Sequence, residues 1–181
     1  MAAKASQIEV GGRTLRVTNL DKVMYPATGT TKGDVIAYYQ AVAPWMVPHV
    51  AGRPATRKRW VHGVEGPAFF TKNADSGTLE WIRTVGIEHS RETLRYPIID
   101  DAATLVFMAQ LAALEIHVPQ WRFGREASGV GLADVGDGAD LLTAQYPDRL
   151  VLDLDPGEGA GLEECVTLAL IVKEILDRVG L

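Results

Sequence analysis

The segment Leu150-Val-Leu-Asp-Leu-Asp-Pro-Gly157 runs directly into the most regular pattern in the chain. Its period-two alternation predicts a strand over Leu150 to Asp155, with Asp153 and Asp155 on one face and Leu152 and Leu154 on the other. Glu163 to Val179 then places Leu162, Cys165, Val166, Ala169, Val172, Leu176 and Val179 on one stripe of a helix. The acids Glu163 and Glu164 stand in its first turn and Arg178 in its last, the polarity a helix dipole favours. Gly180 is a natural stop. A strand feeding a helix belongs to an α/β chain, and the next strand of such a fold would follow where this sequence ends. The expectation is one domain over residues 1–181, belonging to something larger.

Upstream, Ile8-Glu-Val and Thr14-Leu-Arg-Val17 flank Gly11-Gly12 and predict a hairpin. Thr31 with Asp34 has the spacing of a capping box. It opens a helix from about Lys32 to Ala43, which Pro44 should end or kink. Ala55 to Val61 predicts a strand with Arg57 and Arg59 on one face and Lys58 and Trp60 on the other. Thr93 to Ile99 predicts another. Asp100 or Asp101 can cap a helix to about Ala113. Leu114 to Val118 alternates, with Glu115 and His117 sharing the polar face. Phe123 to Asp148 is rich in Gly, Ala and Asp and reads as a long mobile loop.

Bulk properties narrow the function. The chain has 181 residues, enough for a real core. No apolar run is long enough for a bilayer span, and no apolar stretch follows the N-terminus as in a secretory signal. Cys165 is the single cysteine, so no internal disulfide can form, and a reducing cytoplasm fits. The net charge of −5 is unevenly spread. Residues 1–60 hold nine Lys/Arg against three Asp/Glu, whereas residues 61–181 hold nine against twenty. Local charge decides where a polyanion docks.

The chemistry-bearing residues fall in a few places. Asp153 and Asp155 side by side repel each other unless a cation lies between them, and Mg²⁺ or Mn²⁺ takes such oxygen ligands. Turn chemistry at Asp155-Pro-Gly157 is the alternative. Arg57-Lys58-Arg59-Trp60 can serve two surfaces, for nucleic-acid backbone and for nucleotide phosphate, or can protect an edge strand. Adjacent Phe69 and Phe70 point opposite ways, one expected in the core and the other, if exposed, able to stack on a base, with burial of both as the alternative. Lys22 and Lys32 flank a loop leading into a helix N-terminus, a ready anion site of free amides, positive dipole end and two lysines, with ordinary capping and surface lysines as the alternative. His117 is a lone histidine beside Glu115, and His49, His62 and His89 show no metal-site spacing.

Together these blocks resemble one family. Asn19-Leu-Asp-Lys22 through Thr31-Lys32, Gly52 through Trp60, Pro67-Ala-Phe-Phe70, Tyr96-Pro-Ile-Ile-Asp100, Leu114 through Trp121 and Val151 through Gly159 are similar, in order, to the polymerase domain of bacterial ligase D. That domain belongs to the archaeo-eukaryotic primase superfamily. The resemblance implies an α/β (α+β) primase-type polymerase fold, N-terminal part, with a mixed sheet and flanking helices.

It further implies that Asp153 and Asp155 hold Mn²⁺ or Mg²⁺, and that Lys58 and His117 contact the incoming nucleoside triphosphate. Asn19, Lys22 and Lys32 would grip a 5′-phosphate. Phe69, Phe70 and Arg59 would meet the DNA template at the gap. The implied activity is template-directed nucleotidyl transfer, filling gaps and extending primers at double-strand breaks. The implied partners are gapped or broken DNA, Ku and a DNA ligase, in a bacterial cytoplasm at the nucleoid. The family also carries a Ser/Lys/His triphosphate motif and a third metal-binding Asp beyond the metal strand, and neither is present before Leu181. A second reading is therefore a DNA-binding module that recognises 5′-phosphates without catalysis. An apolar strand ending in Asp-x-Asp also resembles haloacid-dehalogenase-type phosphatases, which have Thr or Val where Gly157 stands.

Overall fold

The structure is a computed structural model that describes residues 5–124, 132–133, 142–144 and 146–180. The chain divides into two compact units, Met1–Asp148 and Arg149–Leu181. It is α/β in class, with three helices and twelve short strands among the described residues. One mixed sheet was expected. The described strands instead form five small sheets, and every pairing is antiparallel.

The first unit opens with the expected hairpin, β1 (Ala5–Val10) and β2 (Arg13–Thr18). Gly11 and Gly12 both have positive φ, the conformation that lets a two-residue turn match the twist of the strands. Val10, Leu15 and Val17 are buried. A short pair follows, β3 (Val23–Tyr25) and β4 (Thr30–Thr31).

Helix α1 (Lys32–Val50) starts at the expected capping box, with Asp34 N donating to Thr31 Oγ1 at 3.2 Å and Thr31 N to Asp34 Oδ2 at 2.8 Å. It does not stop at Pro44 but runs seven residues further than Ala43. Pro44 and Pro48 remove the donors that would meet the carbonyls of Gln40 and Pro44. Gln40, Pro44 and Pro48 lie on the exposed side of the helix. Val35, Ile36, Tyr39, Ala43 and Val50 hold the opposite face in the core.

Helix α2 (Ala102–Gln110) is capped by Asp101, whose Oδ1 accepts from Thr104 N at 2.7 Å. Residues Ala103 to Ala109 are all buried. The helix ends before the expected Ala113, because Ala112 adopts a positive φ of 59° and turns the chain into a strand. The main core lies where α1, α2 and the first hairpin pack together.

The strands that matter for function are β5 (Thr56–Arg59), β6 (Phe69–Thr71) and β9 (Ala113–His117), ordered β6-β5-β9. A separate hairpin, β7 (Thr84–Glu88) with β8 (Thr93–Pro97), closes over a smaller core of Val85, Tyr96, Ile98 and Phe123. The loop expected over Phe123 to Asp148 contains three short strands, β10 (Phe123–Gly124), β11 (Leu132–Ala133) and β12 (Leu142–Ala144). The rest of that loop, 125–131, 134–141 and 145, lies outside the described residues. Buried Arg53 holds Asp148 at 2.5 Å.

The second unit contains helix α3 (Leu162–Val179). Glu164 reaches back to accept from Gly161 N at 2.8 Å, and Gly180 caps the other end in the left-handed conformation. The strand expected over Leu150 to Asp155 is absent. That segment pairs with no described strand. Leu150, Val151 and Leu152 are exposed, and no residue of α3 is buried.

Candidate nucleic-acid interface

Strand β5 sits between two partners, and its register sorts its side chains. Lys58 lies opposite Phe70 on β6 and Glu115 on β9, while Thr56 lies opposite His117. Cross-strand neighbours share a face. Lys58, Phe70, Glu115 and His117 therefore form one cluster, with Trp60 beside it by period two. The expected alternation of Arg57 and Arg59 against Lys58 and Trp60 is observed.

On this face Lys58 Nζ is 3.1 Å from Glu115 Oε1, and His117 Nε2 is 2.8 Å from Glu115 Oε2. The Lys58 ammonium lies 4.8 Å from the Trp60 ring centre and 5.7 Å from that of Phe70. The rings of Phe70 and His117 meet edge-on at 5.6 Å. The hydrogen bond from His117, then that from Lys58, holds the Glu115 carboxyl below the usual carboxylate range. The result is a partly exposed patch of a cation, an imidazole and an aromatic ring.

The opposite face is locked. Arg57 is fully buried and pairs with Asp75 at 2.6 Å. Arg59 takes the other oxygen of Asp75 at 2.8 Å and donates from Nε to Leu111 O at 2.8 Å. Asp75 thus fixes both arginines, and Arg57 is structural rather than free to meet DNA. The Arg59 guanidinium lies 5.5 Å from the Phe69 ring centre. One of the two phenylalanines was expected in the core, yet Phe69 is 43% exposed and Phe70 60%. Strand β6 is a three-residue edge strand, and its rings are only partly covered, Phe69 by Arg59 and Phe70 by Lys58 and His117.

Arg59 also lines a cavity of about 220 Å³ together with Asn19, Lys22 and Lys32. Asn19 and Lys22 extend from there into an adjoining hollow of about 550 Å³ with Ser6 and Asp21. Lys32 is buried and donates to Thr18 O at 2.9 Å. Lys22 donates to Val61 O. Burial first, then the charges of Lys22 and Arg59, bring the Lys32 ammonium down to about 8.

Three cations around one small cavity could attract an anion through their side chains, rather than through the free helix amides that were expected. The amides of Lys32, Gly33 and Asp34 are already spent on Lys22 O, Leu20 O and Thr31 Oγ1. Side chains supply the attraction.

In the second unit, Leu152 and Leu154 line a hollow against Ala169, Val172 and Leu176 of α3. Asp153 and Asp155 line a different one, about 250 Å³, with Glu164. Leu154 lines both hollows, so the expected two-sided alternation is only partly kept. Both aspartates are exposed. Oxygen donors of this kind fit Mg²⁺ or Mn²⁺, with water or phosphate oxygens needed to complete the shell. Among the described residues no three His, Cys, Asp or Glu side chains gather into a metal site, and the pair alone would make only part of a ligand set.

The family model described as "LigD, primase-polymerase domain" matches residues 31–181. The chain belongs to the LigD primase-polymerase family. The multifunctional non-homologous end joining protein LigD of Mycobacterium bovis is 48% identical over 165 residues, which cover 91% of this chain and 20% of that protein. That of Mycolicibacterium smegmatis is 44% identical, covering 92% and 20%. The solved "Polymerase Domain from Mycobacterium tuberculosis Ligase D in complex with DNA" matches with a TM-score of 0.82 and 46% identity, over 92% of this chain and 54% of that one. The LigD-type chain thus spans about a fifth of the length of these curated relatives.

Within this LigD-type unit the structure brings Lys58, His117 and Phe70 together on one face, and Asn19, Lys22, Lys32 and Arg59 around one cavity. Sequence reading missed Asp75, which nothing in its turn-forming neighbourhood marks out. It also missed Gln110, whose amide brackets Thr18 through bonds of 2.9 and 3.0 Å and so helps set the wall beside Lys32. Long-range partners of this kind carry no local pattern.

Proposed function

We propose that this chain is the N-terminal part of a template-directed nucleotidyltransferase that fills gaps and extends primers at broken DNA ends during end joining. The observation that carries the reading is on β5. Lys58 faces the imidazole and aromatic patch, while the next residue, Arg59, faces the three-cation cavity. One short strand can therefore contact a nucleotide on one side and a DNA phosphate on the other.

On this reading Lys58 and His117 engage the phosphates and sugar of an incoming nucleoside triphosphate. Phe70 gives its base or the template a stacking surface. Asn19, Lys22 and Lys32 hold the 5′-phosphate of the downstream strand, and Arg59 with Phe69 supports the DNA beside it. Asp153 and Asp155 are the residues that would hold Mn²⁺ or Mg²⁺. Such an ion, when bound, activates the 3′-hydroxyl and offsets charge on the leaving pyrophosphate. Ku and a DNA ligase are the proposed partners, and the nucleoid the proposed place of action. No helix among the described residues is long and apolar enough to cross a membrane.

The test is primer extension with Mn²⁺ on a gapped duplex, with and without a 5′-phosphate on the downstream strand. Extension that the 5′-phosphate stimulates is expected. Binding that needs the 5′-phosphate but yields no extension would replace this reading with that of a recognition module.

A further inference from the structure

Glu115 is the residue on the nucleotide-facing patch to which no role has been given. It lies directly opposite Lys58 across the β5–β9 pairing. Each of its oxygens is used, one by Lys58 Nζ at 3.1 Å and the other by His117 Nε2 at 2.8 Å. We infer that Glu115 is a positioning residue that holds Lys58 and His117 in the geometry that receives the nucleotide. This rests on the nucleotide-binding reading of that face.

Lysine on an exposed sheet face samples many rotamers, and each must be frozen before a phosphate can be gripped. The Glu115 carboxylate fixes the ammonium between the rings of Trp60 and Phe70. Lys58 keeps two N–H donors for a ligand. An ionised carboxylate only accepts, so His117 must present Nε2–H to it. That assigns the imidazole hydrogen and leaves Nδ1 as the nitrogen free for substrate, the logic by which a second carboxylate orients a histidine ligand. Phe70 edge-on to the ring limits its remaining rotation. A purely stabilising role is a poor explanation, because exposed ion pairs contribute little to folding. An unsaturated carboxylate here would repel a triphosphate, whereas one with both oxygens engaged by donors is shielded from it.

The experiment is ATP binding by calorimetry, alongside binding of a gapped 5′-phosphorylated duplex and thermal melting, all on the full chain. Glu115→Gln keeps the shape and removes the charge. It is expected to weaken ATP about 10–100-fold, the range seen when an orienting partner of a ligand is lost. DNA affinity and melting temperature should stay at their original values. Glu115→Asp should recover part of the loss. The double change Lys58→Ala with Glu115→Gln should cost less than the two single losses combined, since Glu115 acts partly through Lys58.

The inference is overturned if Lys58→Ala weakens ATP while Glu115→Gln does not. It is equally overturned if Glu115→Gln lowers melting temperature, DNA affinity and ATP affinity together, which marks a structural role. If Lys58→Ala leaves ATP binding intact, the nucleotide reading of the whole face falls and the role of Glu115 with it.

Discussion

The β6-β5-β9 sheet and the segment around Asp153 place charged groups in opposite ways. In the sheet nearly every charge is engaged: Arg57 and Arg59 by Asp75, Lys58 and His117 by Glu115. Rings of Trp60, Phe69 and Phe70 lie against the cations. Around Asp153 and Asp155 the carboxylates are exposed, and the adjoining helix buries none of its residues. Helix α3 is set largely by local devices: its caps, the polarity of its end charges and the i,i+4 pairs Lys173–Asp177 and Glu174–Arg178. On the proposed function, a cationic surface that holds a polyanion in register benefits from being built in advance. Stability and activity should therefore respond in opposite ways to changes in the two regions.

The largest effect is expected from Asp153→Ala combined with Asp155→Ala. Primer extension should fall by about 10³-fold or more, the scale of losing preorganised charge stabilisation at a reacting phosphate. Unfolding by urea should move by less than ~0.5 kcal/mol, since both groups are exposed. A large loss of stability would break the contrast. Arg57→Met probes the other region. Removing one member of a buried ion pair should destabilise by about 3 kcal/mol, seen as a lower urea midpoint.

Phe70→Ala separates function from folding within the sheet itself. Affinity for gapped DNA should drop by about 1–3 kcal/mol, the worth of one stacking side chain, with little change in folding. DNA binding at the original level would remove Phe70 from the interface.

The smallest effect concerns pH. The Lys32 ammonium is brought from its ordinary 10.5 to about 8, chiefly by burial. Preference for a 5′-phosphorylated over an unphosphorylated gap should therefore decline as pH rises through about 8, and a binding titration from pH 7 to 9 reads this directly. Linkage gives the sign for folding. Between about 8 and 10.5 the unfolded chain holds a proton that the folded chain has released, so Lys32 makes stability rise with pH across that window. Urea melts of the original chain and Lys32→Met, compared over that range, should differ in slope in this direction.

Much of this was legible beforehand because its causes are local. The first hairpin follows from Gly11-Gly12, and the start of α1 from Thr31 and Asp34. The two faces of β5 follow from alternation alone. The extent of α1 past Pro44 was not legible, because it depends on Gln40, Pro44 and Pro48 facing water while Tyr39 and Ala43 are packed. The end of α2 was set by one alanine with positive φ, which no residue preference announces. The strand expected at Leu150 needed a paired edge, and alternation cannot supply one.

The sequence by itself determined which residues could do chemistry here: an Asp-x-Asp pair, a basic strand, two adjacent phenylalanines and two lysines flanking a loop. Periodicity and charge are written in neighbouring residues, so they can be read there. Only the tertiary structure decided how those residues are grouped. It joined Arg59 to Lys22 and Lys32 in one cavity, spent the helix amides on the chain itself, buried Arg57 against Asp75 and set Glu115 between Lys58 and His117. Each of those outcomes depends on segments far apart in the chain packing side by side, and distance along a sequence does not encode distance in space.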